Sequence, residues 1–238
     1  MKAVPPFGLT RAEARLLRSL STPRKVLDFL DGLDYDWAAK GCRSPRRVLR
    51  ERTVQCMDGA LFAAGAMRFQ GRPPLLLDLE ADNDTDHVMA LFRERGCWGA
   101  VGRSNYSGLR FREPIYRTLR ELVLSLFEEY SNLRREKTLR RYSGPVNLTR
   151  FDRRGWMTAA DDLWDIPLYL VDVKHYRLLK PREARGLSTA DRRQFESTLL
   201  GREENGRFFT LAIQRKKPRK KLFLLRRRRL TRPAALRG

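Results

Sequence analysis

Histidine is almost missing: the 238 residues hold only two, His87 and His175. A chain this poor in imidazole offers few bases and few nitrogen ligands, so any histidine-dependent chemistry runs through one of those positions. Cysteine is also scarce. Cys42, Cys56 and Cys97 cannot all pair, and none of them stands in a CxxC arrangement, which argues against a disulfide framework or a zinc knuckle. No apolar run approaches the roughly 18 residues that span a bilayer. The N-terminus shows no basic, apolar and small-residue succession of the signal-peptide kind. These absences predict a soluble, cytoplasmic protein without a transmembrane segment, a metal or a cofactor.

Acid is short as well, with 28 Asp and Glu against 50 Lys and Arg and a formal charge of +22. Such an excess suits a polyanion, because basic surfaces gain affinity by releasing counterions from phosphates. Its distribution weakens that reading. Ten Lys or Arg and no acid lie between Arg215 and Arg229, and Arg232 and Arg237 bring the tail to twelve, leaving about +10 over residues 1–214. The tail therefore has two readings: nonspecific binding of nucleic acid or anionic lipid, or a solvated, disordered end.

What is present is enough apolar sequence, 42%, to bury one substantial core. Four segments are expected: a helical N-terminal part over 1–50, a core over 51–140, a small C-terminal extension over 141–213, and the basic tail over 214–238. Thr10 with Glu13 forms a capping-box signal. Thr22-Pro23 and Ser44-Pro45 each predict a further helix start. From Thr53 to Phe69 an Ala- and Leu-rich stretch, nearly free of charge after Asp58, predicts a helix covered on all sides. Pro73-Pro74 then lead into LLLDLEA, followed by HVMALFRE and CWGAVGRS, three predicted strands in succession. A central helix followed by consecutive antiparallel strands is an α+β layout. A long helix is predicted from Pro114 through Tyr130, and one or two strands within LWDIPLYLVDVKHYRLL; FFTLAIQ is a possible last strand.

Cys56 falls within the first turn of its predicted helix, where unpaired amides and the helix dipole favour thiolate. His87 opens a strand that follows that helix and its first strand, so the imidazole can lie beside the helix tip. Taken singly, Cys56 is also a small buried hydrophobe and His87, next to Asp86, a solvated turn residue. Cys97 beside Trp98 reads as core, Cys42 as structural, and His175 as a surface residue. Asp78, Asp82, Asp84 and Asp86 alternate as in a metal loop. Without the glycine and closing glutamate of a calcium loop, they read as solvated turn carboxylates.

Gln55-Cys56 and its small-residue helix, His87-Val88 opening a strand and Trp98 in the next resemble the core of the transglutaminase-like superfamily, with its papain-like fold. The stretches SPRRVLRERTVQCMDGALFAAGAM, LLLDLEADNDTDHVMALFRERGCWGAVGRSN and FREPIYRTLRELVLSLFEEY resemble more narrowly a group of bacterial transglutaminase-like proteins. The likeness covers roughly residues 20–150. It implies thiolate attack by Cys56 on an amide carbonyl of a protein or peptide substrate, with His87 as base and release of the acyl group to water or an amine. The family's aspartate, a few residues beyond the strand tryptophan, has no counterpart, since GAVGRSN follows Trp98. Asn105 is the candidate to orient the imidazole, with Ser104 the alternative. Two rivals stand beside the thiol enzyme: an inactive binding or scaffold module, and a nucleic-acid-associated basic protein.

Overall fold

The computed structural model describes residues 5–38 and 41–199. FFTLAIQ and the basic tail, with every expectation attached to them, lie outside the described residues.

Three short helices open the chain, each begun by the expected side chain. Before α1 (Arg11–Ser19), Thr10 Oγ1 accepts from the Glu13 amide at 3.2 Å and Glu13 Oε2 accepts from the Thr10 amide at 2.7 Å. Thr22 caps α2 (Pro23–Asp31), and Ser44 caps the third helix, α3 (Pro45–Glu51). In both, proline fills the first position, where a missing N–H costs nothing. Between these helices, β1 (Asp34–Tyr35) pairs in parallel with β2 (Thr53–Val54).

The chain leaves β2 directly into α4 (Cys56–Phe69), in which all residues from Met57 to Met67 are buried. Ala60, Ala63, Ala64 and Ala66 let α1, α2 and α3 approach from one side and the sheet from the other, the all-round cover its composition demands.

The strands follow as expected: β3 (Leu75–Ala81), β4 (His87–Glu94) and β5 (Cys97–Val101). Then the chain departs from expectation. Residues Phe111–Tyr116 form an edge strand, β6, and the helix begins only at α5 (Leu119–Phe127), where Thr118 and Glu121 make a capping box. Pro114 was expected to start that helix; an edge strand accepts it because its missing N–H can face away from the single partner strand.

Beyond residue 140 the chain returns to the same sheet. The strands β7 (Leu139–Ser143) and β8 (Val146–Asn147) both pair with β3. The expected strand in LWDIPLYLV is instead the helix α6 (Asp165–Asp172), whose Ile166 and Leu170, four residues apart, are its buried side. Only His175–Arg177 form a strand, β9, and α7 (Pro181–Arg185) and α8 (Arg192–Thr198) end the described chain.

The order across the sheet is β6-β5-β4-β3-β7-β9, every neighbouring pair antiparallel. Strand alternation gives the sheet two apolar faces. Leu76, Val88, Ala90 and Phe92 join the core around α4, whereas Leu77, Leu79, Met89 and Leu91 join the core around α5. The fold is therefore mixed α+β, with the Cys56 helix against one face of an antiparallel sheet. All described residues belong to one unit, Met1–Arg207. Among them, no helix is long and apolar enough to cross a membrane.

Candidate functional site

Cys56 is the first residue of α4, and its thiol, 3.2 Å from Gln55 Oε1, donates to that oxygen. The same carboxamide oxygen accepts from the Met57 amide at 3.4 Å, so Gln55 caps the helix that the cysteine begins. Asp58 completes the cap from inside. Its fully buried carboxylate accepts from the Gln55 amide at 3.3 Å and from the Arg43 guanidinium at 2.9 Å. Arg43 also holds Asp36 and Glu51, each at 2.7 Å, and so fixes the loop, the helix end and the start of α4 together.

Burial pushes the Cys56 thiol up to about 11, helped by the charges of Asp58 and Asp78; the amides of Met57 and Val88 act against it. Cys56 is half-buried, and its raised pKa disfavours thiolate, against the expectation that the helix tip would favour it. Desolvation outweighs the dipole at this tip. Cys42 is fully buried, and its thiol is likewise raised by burial. Cys97, expected in the core, is half-buried at the first position of β5.

His87 begins β4, opposite Leu79, and is 5% exposed. Its Nε2 lies 2.9 Å from the Leu109 carbonyl, which fixes the proton on Nε2 and leaves Nδ1 as the acceptor. Burial pushes the imidazole down to about 4, with the Leu109 carbonyl pulling the other way, so the ring is neutral. Gly102 makes room for it: a Cβ there would come 3.1 Å from His87 Nε2.

Cys56 and His87 share no hydrogen bond: the thiol donates to Gln55 and the imidazole to Leu109. The amide of Val88, the residue next to His87, is among the groups that lower the Cys56 pKa. The imidazole is in phase with Met89 and Leu91, on the α5 side of the sheet. Asn105, the expected orienting residue, is half-buried in the turn between β5 and β6, and its side chain has no hydrogen bond among the described residues. Ser104 Oγ is engaged by the Tyr106 amide at 3.0 Å. The group that orients His87 is a backbone carbonyl, which carries no side-chain signature in the sequence.

Sequence reasoning also missed a buried polar row on the α4 side of the sheet. The acid alternation implies a solvated turn carboxylate at Asp78, and VDVKHYRLL a surface residue at His175. Their side chains are 8% and 10% exposed, and His175 Nε2 is 3.0 Å from Asp78 Oδ2. The signal was present in LLLDLEA, where two acids share one face of an otherwise apolar strand. Nor are Asp84 and Asp86 merely solvated: Asp84 accepts from Thr138 Oγ1 at 2.7 Å and Asp86 from the Ala81 amide at 2.9 Å. Both tie the turn to its neighbours.

No family model matches the chain, and no curated protein matches it either.

Proposed function

We propose that the protein is a transglutaminase-like thiol enzyme with a papain-like core, acting on an amide bond of a protein or peptide through Cys56 and His87. The observation that carries this reading is that Cys56 is the first residue of a buried central helix packed on β4, the strand that His87 opens. In the reaction, His87 Nδ1 takes the thiol proton as sulfur attacks the carbonyl carbon. The C–N bond breaks, the proton leaves with the amine, and a thioester remains on Cys56. Water or a second amine then attacks the thioester and restores the thiol.

The resting geometry is closed. Gln55 Oε1 occupies both the thiol proton and the Met57 amide, the kind of backbone donor that stabilises an oxyanion. Substrate has to turn Gln55 aside, and the His87 ring has to leave the Leu109 carbonyl and turn from the α5 side of the sheet toward the sulfur. The test is covalent trapping with an activated acyl ester. An adduct on Cys56 that needs His87 supports the reading, and no adduct above the level on Cys97 removes it.

One observation favours a second reading, a non-catalytic binding or scaffold module. The thiol proton is held by Gln55 rather than His87, and both members of the pair are neutral at rest. In that case the intact domain binds a partner protein without turnover, and Cys56→Ser leaves binding unchanged.

A further inference from the structure

Asp78 on β3 and His175 on β9 stand two strands apart, with β7 between them. Their side chains nevertheless meet, because the intervening residue is small. Ser143, in register with His175, is fully buried, and its Oγ accepts the Asp78 amide at 3.0 Å. The other ring nitrogen of His175, Nδ1, lies 2.9 Å from the Val173 carbonyl. A carbonyl and a carboxylate are both acceptors, so this environment favours the ring with both nitrogens protonated. The Asp78 hydrogen bond raises the His175 pKa, against the cost of burial.

Asp78 faces a second partner across β4. It is in register with Val88, which belongs to the core that packs on α4, and its charge is among the causes that raise the Cys56 pKa. Four residues on one face of the sheet, Val88, Asp78, Ser143 and His175, thus link the β9 edge to the tip of α4.

We propose that the Asp78–His175 pair is a positioning element that sets the charge beside Cys56. With His175 protonated, the Asp78 carboxylate is compensated; once that proton is lost, a bare negative charge faces the sulfur and opposes thiolate. The other charged or titratable groups around the row are Arg141 on β7, held 2.9 Å from Glu80, Asp58 on α4, Tyr130 after α5, and Lys174 and Arg177 beside His175. Arg141 opposes protonation of His175, and burial keeps Tyr130 protonated. The inference deepens the proposed thiol chemistry and rests on it for its use, but it is read on the sulfur alone.

The experiment is iodoacetamide labelling of the full chain at mildly alkaline pH, followed at the Cys56 peptide with Cys97 as the reference. His175→Gln keeps a donor toward Asp78 and loses the charge, so labelling of Cys56 is expected to slow about threefold, the equivalent of roughly half a pKa unit. Asp78→Asn removes the negative charge and is expected to speed it by a similar factor. Loosened packing would speed both variants, so the opposite signs are diagnostic; equal or faster labelling in His175→Gln overturns the proposal. Should that variant fail to fold, the wild-type profile decides. The Cys56 rate is expected to rise less steeply with pH across the range in which the His175 ring protons titrate by NMR, and a uniform rise overturns the idea. Opposite shifts without any acyl adduct would leave this inference standing and remove the proposed enzyme. An adduct with no shift in either variant would do the reverse.

Discussion

His87 Nε2 donates to the backbone carbonyl of Leu109 at 2.9 Å. The ring is thereby held in one tautomer by a group that no side-chain substitution deletes, and Asn105 takes no part. Asn105→Ala is expected to change neither the pH profile of Cys56 labelling nor the unfolding free energy, within about 0.5 kcal/mol. A labelling profile displaced by a full pH unit would show that Asn105 orients the ring after all.

Two glycines mark where the site is tightest. A Cβ at Gly102 would come 3.1 Å from His87 Nε2 and 3.2 Å from Met89 Cγ, and one at Gly59 would come 2.4 Å from Arg103 Cβ. Alanine at Gly59 gains about 1 kcal/mol in helix propensity, but it drives the first turns of α4 away from the β5–β6 turn. A net loss of about 1–3 kcal/mol is expected for Gly59→Ala, and a smaller one for Gly102→Ala. Urea midpoints give the answer; a stabilised Gly59→Ala would show that Arg103 moves aside freely.

The two histidines are expected to act on stability in opposite directions. His87 is pushed from 6.5 down to about 4 in the folded chain. Its neutral form is therefore favoured by folding: the contribution is present above pH 6.5 and lost as pH falls toward 4, on the order of 3 kcal/mol. The His175 pKa is raised by Asp78. Its contribution is complete below the ordinary histidine value and is lost as pH rises through the raised folded value. Unfolding free energies should accordingly fall less steeply between pH 6.5 and 4 in His87→Gln, with Glu13 and the other ion-paired carboxylates still contributing, and less steeply through the raised His175 range in His175→Gln. Unchanged slopes in both would contradict the assigned environments.

Much of this fold was legible because local signals agreed with the packing. The caps at Thr10, Thr22 and Ser44, the small-residue face of α4 and the strand patterns of β3, β4 and β5 all stand where the sequence implied. Pro114 misled because a proline opens a helix and suits an edge strand equally well, and only the partner strand β5 decides. LWDIPLYLV is apolar enough for a strand, yet burial of Ile166 and Leu170 on a single side requires a helix. At the site, Cys56 starts the central helix and His87 starts β4, as the local patterns imply. The sequence carries no sign of the Leu109 carbonyl, since backbone groups leave no residue signature. It hid the Asp78–His175 pair, because that contact depends on the register of three strands.

The proposed nucleophile is tested most directly by intact-mass and peptide measurements on the folded chain after exposure to an activated acyl ester. One acyl group is expected, on Cys56, absent in Cys56→Ser, formed at least about tenfold more slowly in His87→Gln, as loss of a general base implies, and lost when free amine or water is allowed to react. A chain that takes up no acyl group, or takes it up on Cys97 as fast as on Cys56 and with no need of His87, would contradict the proposed nucleophile.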